Sequence, residues 1–396
     1  MTPAAPPAYD YLIVGAGFAG AVLAERLASQ LGKRCLVVDR RSHIGGNAHD
    51  AEDAAGVLIH RYGPHYFRTN SDRVVAYLSQ FTEWRPVDYR VLSFTDGRYW
   101  PFPINLNTFE QLVGHPSTPE EMRATLDAWR VPIDSPANSE EVIVSQVGWE
   151  LYRKFFENYT RKQWQRDPRD LDASVCGRIP VRTDRDDRFV TDKFQALPAQ
   201  GYTRMFERML SHPGIDVALR TDFEDVRRKV RYGQLIYTGP LDEYFGRCYG
   251  PLPYRSLRFE AETYRADFVL PAMQVNYPGP EPFTRVVEIK HATGQQTPFT
   301  TLVKEYPEEY RVGSEPYYPV PAPDARAAYE RYAELAKQEK NVRFVGRLAT
   351  YRYYNMDQVI ASALTEFERS RGLPTPERSA SMKGAGVSRP RNAPLR

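Results

Sequence analysis

The chain has 396 residues, room for two or three hydrophobic cores, and its 53 Lys+Arg nearly balance 50 Asp+Glu. Such a balance excludes a nucleic-acid or membrane-surface protein that works by bulk charge. Three scattered cysteines (Cys35, Cys176, Cys248) and seven scattered histidines offer neither a disulfide framework nor metal-ligand spacing, so no metal is expected.

No Lys or Arg precedes Asp10, so no signal-peptide start is read. The longest apolar run, Tyr11 to Ala24, is short and glycine-rich, so no membrane insertion is expected and the reading is a cytoplasmic protein. Tyr is abundant, 26 against 19 Phe and 5 Trp, and buried Tyr hydroxyls need partners, so some are expected to line a pocket or interface.

After a Pro/Ala lead-in over 1–8, residues 10–39 predict strand 10–14, a glycine turn, helix 18–31 and strand 34–39. The turn carries Gly15, Gly17 and Gly20 in G-x-G-x-x-G spacing. The first glycine permits a tight turn, the second a close approach of phosphate, the third close packing of helix on strand. The helix N-terminus then offers free N–H groups to a pyrophosphate. Asp39 ends the second strand 19 residues after Gly20, where a carboxylate accepts from a ribose; alone it is equally a strand-end acid. Together these features predict a bound dinucleotide. Gly45-Gly46-Asn47 follows, a second glycine turn that suits FAD better than NAD.

Residues 103–166 read as mainly helical. Thr118-Pro119-Glu120-Glu121 holds an N-cap, a first-turn proline and a capping-box acid, and Val147, Leu151, Phe155 and Tyr159 recur on one helix face. Residues 167–188 are half charged and have no period; they read either as a solvated linker or as a lid that brings charge to a ligand. Short aromatic and β-branched runs over 248–317 predict antiparallel strands. Residues 341–370 predict strand, loop and a helix capped near Asn355, and 373–396, basic and poor in apolar residues, a disordered tail.

Several motifs in order give a more specific signal. IGGNAHD at 44–50, YGPHYF at 62–67, FENYTRKQW at 156–164, GRIPVR at 177–182, YTGPLDEYF at 237–245, FTRVVEIKH at 283–291, EPYYPV at 315–320 and GRLATYRYYNMD at 346–357 resemble the prokaryotic UDP-galactopyranose mutases. The resemblance spans roughly residues 9–370. It implies an α/β fold: a Rossmann-like FAD-binding domain (9–84, 196–247, 318–372), an inserted helical domain (103–178) with a mobile lid at about 167–188, and an antiparallel sheet domain (85–102, 179–195, 248–317). It also implies a homodimer.

The implied reaction interconverts UDP-galactopyranose and UDP-galactofuranose. The reduced flavin forms a covalent adduct with the sugar, UDP leaves and returns, and no net electrons move; NADPH or NADH primes the cofactor. The resemblance makes Arg178, from the lid, and Arg285, from the sheet, the cations on the diphosphate. It makes Tyr159 the uracil platform with Trp164 near the nucleotide sugar. It sets Tyr318 and Tyr353 on the diphosphate with Tyr317 nearby, and Asn276 on the sugar. For the flavin it implies Gly15, Gly17, Phe18, Gly20, Asp39, Arg40, Gly46, Asn47, His65, Arg347 and the start of the last helix at Met356 and Asp357. Without the resemblance, Arg178 reads as a surface charge, Arg285 as a polar sheet face and the aromatic residues as core.

Four positions depart from the family pattern. Arg68 replaces a histidine beside the flavin, Phe189 a tyrosine near the diphosphate, Tyr89 an asparagine, and Asn355 an acid near the sugar. Two other readings share the glycine motif: an amine-oxidase-like flavin oxidoreductase, which needs no UDP site, and a binding protein of the GDP-dissociation-inhibitor kind, which needs no functional flavin. The intact glycine motif with Asp39 weighs against the latter.

Overall fold

The computed structural model describes residues 8–371; the tail predicted at 373–396 lies outside them. The predicted βαβ unit is present as Tyr9–Val14, Phe18–Leu31 and Cys35–Asp39. The first helix is Ala-rich and buried on most sides, and Gly32, at φ 61°, ends it in the left-handed conformation that glycine adopts without strain. Five parallel strands build the sheet in the order Ile215–Leu219, Cys35–Asp39, Tyr9–Val14, Tyr232–Tyr237, Val342–Phe344. The first helix packs against the last (Met356–Ser370) in one continuous core that includes Leu23, Leu27, Ile360 and Leu364. Asn355 precedes the last helix, and its N–H donates to Gln358 Oε1 at 2.9 Å.

A seven-stranded sheet runs Tyr318–Pro319, Tyr254–Tyr264, Thr300–Glu309, Arg285–Val287, Gln274–Asn276, Val91–Thr95, Arg98–Phe102. It corrects the expectation of a purely antiparallel sheet: Gln274–Asn276 lies parallel to Val91–Thr95. These strands come from segments far apart in the chain, so no hairpin forces them antiparallel. Tyr318–Pro319, expected with the nucleotide domain, pairs with Tyr254 and Arg255 in this sheet. A three-stranded sheet of Phe67–Thr69, Phe194–Pro198 and Trp84–Pro86 crosses the expected borders at 84 and 195.

The helical segment has its predicted capping box: Glu121 N–H donates to Thr118 Oγ1 at 3.2 Å and Thr118 N–H to Glu121 Oε2 at 2.8 Å. The expected single face from Val147 to Tyr159 is interrupted twice. Gly148 breaks the helix Ser139–Tyr152 at φ 79°, where a Cβ would lie 2.4 Å from the Trp129 carbonyl oxygen. A π-turn then spans Arg153–Glu157 before the helix Asn158–Trp164. A π-turn holds more residues than an α-turn and so rotates the residues beyond it about the helix axis. Val147, Leu151 and Phe155 are buried core, and Phe155 and Tyr159 both line a cavity.

Candidate active site

Two cavities meet. The first, about 570 Å³, lies at the C-terminal ends of the parallel strands, where doubly wound sheets bind nucleotides. Two glycine turns form part of its wall. Gly15 has φ 102°, and a Cβ there would lie 2.1 Å from Thr238 Oγ1. A Cβ on Gly46 would lie 3.0 Å from Gly17 Cα, so the two glycine turns touch. Gly17 caps the first helix without a side-chain hydrogen bond, leaving its first-turn N–H groups toward the cavity. Gly20 does not line the space; a Cβ there would sit 1.9 Å from the Gly15 carbonyl oxygen, which is the close packing expected of the third glycine.

Phe18, Asp39, Arg40, Gly46 and Asn47 line this cavity as expected. Asp39 also braces the turn. Its carboxylate accepts from the N–H groups of Ala16, at 2.8 Å, and Arg41, at 2.9 Å, tying the glycine turn to the strand end. Two carboxylate oxygens offer about four acceptor sites, so capacity for a ribose hydroxyl remains. Arg40 pairs with Glu243 at 3.4 Å and Glu315 at 3.3 Å. Sequence reading missed its neighbour Arg41, which donates to Asn47 Oδ1 at 2.8 Å, pairs with Glu315 at 2.7 Å and stacks 4.4 Å over Tyr62. The segment Thr221–Glu224, also on the wall, carries no motif that could have revealed it.

The second cavity, about 420 Å³, shares His65, Arg347 and Met356 with the first. It brings together Tyr159, Trp164, Arg178, Phe189, Asn276, Arg285, Tyr318, Tyr353 and Asn355. Sheet register explains part of this. Arg285 lies opposite both Asn276 and Glu305, and cross-strand partners share a face. Arg285 Nη2 donates to Glu305 Oε1 at 2.7 Å, and Glu305 is 1 % exposed. Burial opposes the Arg285 charge, and the Glu305 carboxylate together with the Tyr159 and Tyr318 phenols more than offsets it, so the group stays a cation. Arg285 Nε and Glu305 Oε2 have no protein partner.

Trp164, Tyr318 and Tyr353, from three separate segments, pack mutually with centroids 5.5–6.3 Å apart. Arg178 follows a short helix (Ser174–Gly177) in the charged segment; it stacks 4.5 Å over the Tyr353 ring and donates to the phenol oxygen at 2.9 Å. Burial pushes the Tyr353 phenol up, but Arg178, Arg347 and Arg285 together hold it below the ordinary tyrosine value. Phe189 packs between Tyr89 and Phe102. Tyr89 donates to Gln274 Oε1 at 2.9 Å, and Gln274 donates to Asn276 Oδ1 at 2.9 Å, orienting the asparagine.

His65 sits where the cavities join. Burial, with His60 beside it, pushes its imidazole down to about 3. It is neutral, and Nδ1 lies 2.8 Å from the Gly63 carbonyl, which only accepts, so the proton is on Nδ1 and Nε2 is left as an acceptor.

Three residues stand apart from the group in which the resemblance sets them. Tyr317 lines the first cavity, not the second: alternation along the extended chain sends Tyr317 and Tyr318 to opposite sides. Arg68 lies in the second cavity, on the face opposite buried Phe67 and Thr69, and pairs with Asp192 at 2.8 Å. Asp357 lines neither cavity; its carboxylate accepts from Thr69 Oγ1 at 3.1 Å. The expected lid is tied along both halves: Ser139 N–H donates to the Leu171 carbonyl at 3.1 Å and Asp172 N–H to the Pro321 carbonyl at 3.0 Å, while Leu106 N–H donates to the Asp184 carbonyl at 2.8 Å and Arg185 to Glu110 at 2.5 Å.

Among the described residues no helix is long and apolar enough to cross a membrane. Comparison with known proteins gives concordant results. Residues 154–353 match the UDP-galactopyranose mutase family model, and residues 13–81 match an NAD(P)-binding Rossmann-like domain. The chain is 40 % identical over 359 residues to a probable UDP-galactopyranose mutase of Klebsiella pneumoniae, covering 90 % of this chain and 93 % of that one. It is 34 % identical over 362 residues to the dTDP-fucopyranose mutase of Escherichia coli, covering 89 % and 96 %. A crystal structure of reduced UDP-galactopyranose mutase shares the fold, with a TM-score of 0.74 at 18 % identity, covering 93 % of this chain and 96 % of that one. The chain belongs to the UDP-galactopyranose mutase family, and it is an isomerase built on a Rossmann-like nucleotide-binding fold.

Proposed function

We propose that the protein interconverts UDP-galactopyranose and UDP-galactofuranose, with FAD in the first cavity and the nucleotide sugar in the second. The observation that carries this reading is charge: Arg68, Arg178, Arg285 and Arg347 line the second cavity against one acid, Asp192. Such a wall suits a diphosphate, and each charge-assisted bond to it contributes about 1.5–3 kcal/mol. The first cavity fits FAD because a Cβ at Gly15 or Gly46 would close the cradle that a pyrophosphate needs.

FAD, which Gly15, Gly17, Asp39, Gly46 and Asn47 would hold in the first cavity, would supply in its reduced form an electron-rich nitrogen as nucleophile, chemistry that requires no net electron transfer.

The chain's own groups bind, orient and balance charge. Arg178 and Arg285 hold the diphosphate, and their attraction grows as the departing UDP gains charge. They also keep UDP beside the sugar for recapture. Tyr353 accepts from Arg178 and so keeps its own proton to donate to a phosphate oxygen, as does Tyr318. Tyr159 stacks on the base, worth about 1–3 kcal/mol by analogy with single-strand binders. Asn276, oriented through Gln274 and Tyr89, faces the sugar. The N-terminus of the last helix, at Met356, stabilises negative charge on the cofactor by about 0.3–2 kcal/mol.

The test is product analysis. Dithionite-reduced protein given UDP-galactofuranose yields UDP-galactopyranose with no electron acceptor consumed, and oxidised protein yields none. Turnover that requires oxygen or another acceptor would overturn the reading in favour of an oxidoreductase.

A further inference from the structure

The loop between the Asn276 and Arg285 strands reads Tyr277-Pro278-Gly279-Pro280-Glu281-Pro282-Phe283. Three alternate prolines remove three of the loop's N–H donors, so the loop has more carbonyls than N–H groups to bond them. Those carbonyls turn instead to one atom. Lys162 Nζ donates to the carbonyl oxygens of Tyr277, Gly279, Glu281 and Phe283 at 2.5, 3.0, 2.9 and 3.1 Å. One turn earlier, Asn158 Nδ2 donates to the carbonyls of Pro278 and Gly279 at 2.6 and 2.8 Å.

Lys162 does not itself line the second cavity, but the elements that it joins do. Its helix, Asn158–Trp164, carries Tyr159 and Trp164. Its loop closes the hairpin in which Asn276 and Arg285 are directly paired, with Tyr277 N–H bonded to the Thr284 carbonyl at 2.8 Å. Helix and hairpin are more than a hundred residues apart in the chain.

We propose that Lys162 is a positioning residue: its ammonium, caged by the carbonyls of the 277–283 loop, sets the spacing between the base platform at Tyr159 and the diphosphate cation at Arg285. The inference rests on the second cavity taking a nucleoside diphosphate sugar. The cage presents four acceptors to three N–H donors, so one proton is shared, and no neutral side chain could replace the donors. Burial lowers the Lys162 amine to about 8, with Glu281 opposing, so the carbonyls and not solvent hold the charge. Without the ammonium four carbonyls of a proline-rich loop lose their shared donor, and the hairpin's distance from the helix is no longer determined by it.

The experiment measures UDP binding by calorimetry on FAD-loaded protein, together with KM, kcat and the flavin spectrum. Lys162→Ala is expected to raise the Kd for UDP and the KM for UDP-galactofuranose about 10- to 100-fold. The change in kcat should be smaller, and FAD content and absorption unchanged. Added n-propylammonium, the part of the side chain that alanine lacks, should restore most of the affinity; tetramethylammonium, which cannot donate, should not. UDP binding within twofold of wild type, or a loss that n-propylammonium does not reverse, overturns the proposal. If Lys162→Ala fails to load FAD, Asn158→Ala decides: a Kd raised about 2- to 10-fold supports the clamp, and no change overturns it. Wild-type protein that binds no UDP would sink the reading of the cavity, and this inference with it; an unaffected variant of a UDP-binding wild type sinks this inference alone.

Discussion

The two cavities are built on opposite principles. The first is organised around glycine turns, strand ends and a helix N-terminus, with a carboxylate that braces the turn. The second is made of side chains delivered by a helix, a charged segment, a sheet and a loop. A backbone site tolerates no added atom, whereas a side-chain site tolerates backbone variety but depends on single groups. Two of its four arginines differ again: Arg285 is locked to buried Glu305, while Arg178 stays solvent-accessible and donates to a phenol.

Gly20→Ala should break the first site most completely. The new Cβ would lie 1.9 Å from a backbone oxygen, so helix and turn must separate. The expected outcome is protein purified with little or no FAD, measured by visible absorption. A fully yellow variant would show that the close approach is not needed.

Arg285→Ala comes next. It removes the phosphate cation and also leaves Glu305 buried without a partner, an error that costs about 3–5 kcal/mol. Both activity and the melting temperature should fall. Arg178→Ala sharpens the contrast. Stability should change by less than about 0.5 kcal/mol, as for a surface group. Affinity for the sugar nucleotide should fall about 10- to 150-fold, the equivalent of one charge-assisted bond. Equal loss of stability in the two variants would erase the distinction between a fixed and a delivered cation.

The same division governs what sequence reading could reach. The βαβ unit and its glycines were legible because every constraint is local: a turn, a helix cap and a strand end within thirty residues. The second site was legible only through family resemblance, since nothing in the spacing of Arg178, Arg285 and Tyr353 marks them as neighbours. The errors arise from features with no local signal. Tyr317 and Tyr318 are adjacent in sequence, and which of them faces which cavity depends on how Tyr318–Pro319 pairs with a strand sixty residues earlier. The period through Phe155 suggested one unbroken helix, but the break at Gly148 and the π-turn interrupt it, and neither is carried by the period. Asp357 opens a helix, as an acid should, and then finds Thr69 across the fold.

Proton linkage gives the smallest and most graded test, because it probes the seam where the cavities meet. Burial holds His60 and His65 down to about 3, and His49 to about 4. In the unfolded chain each returns to an ordinary value of about 6.5. Between these limits the unfolded state binds more protons, so stability rises with pH; the contribution is complete above about 6.5 and is lost as pH falls toward 3. Each such histidine adds a limiting slope of about 1.4 kcal/mol per pH unit. His60 Nδ1 accepts from the His65 N–H at 3.0 Å, a bond that a protonated His60 could not make. His60→Gln should therefore flatten the dependence of unfolding free energy on pH between 6 and 4 by about one proton's slope, whatever its offset at neutral pH. An unchanged slope would mean that His60 takes up its proton without unfolding, and that the wall behind His65 opens to water more readily than its burial implies.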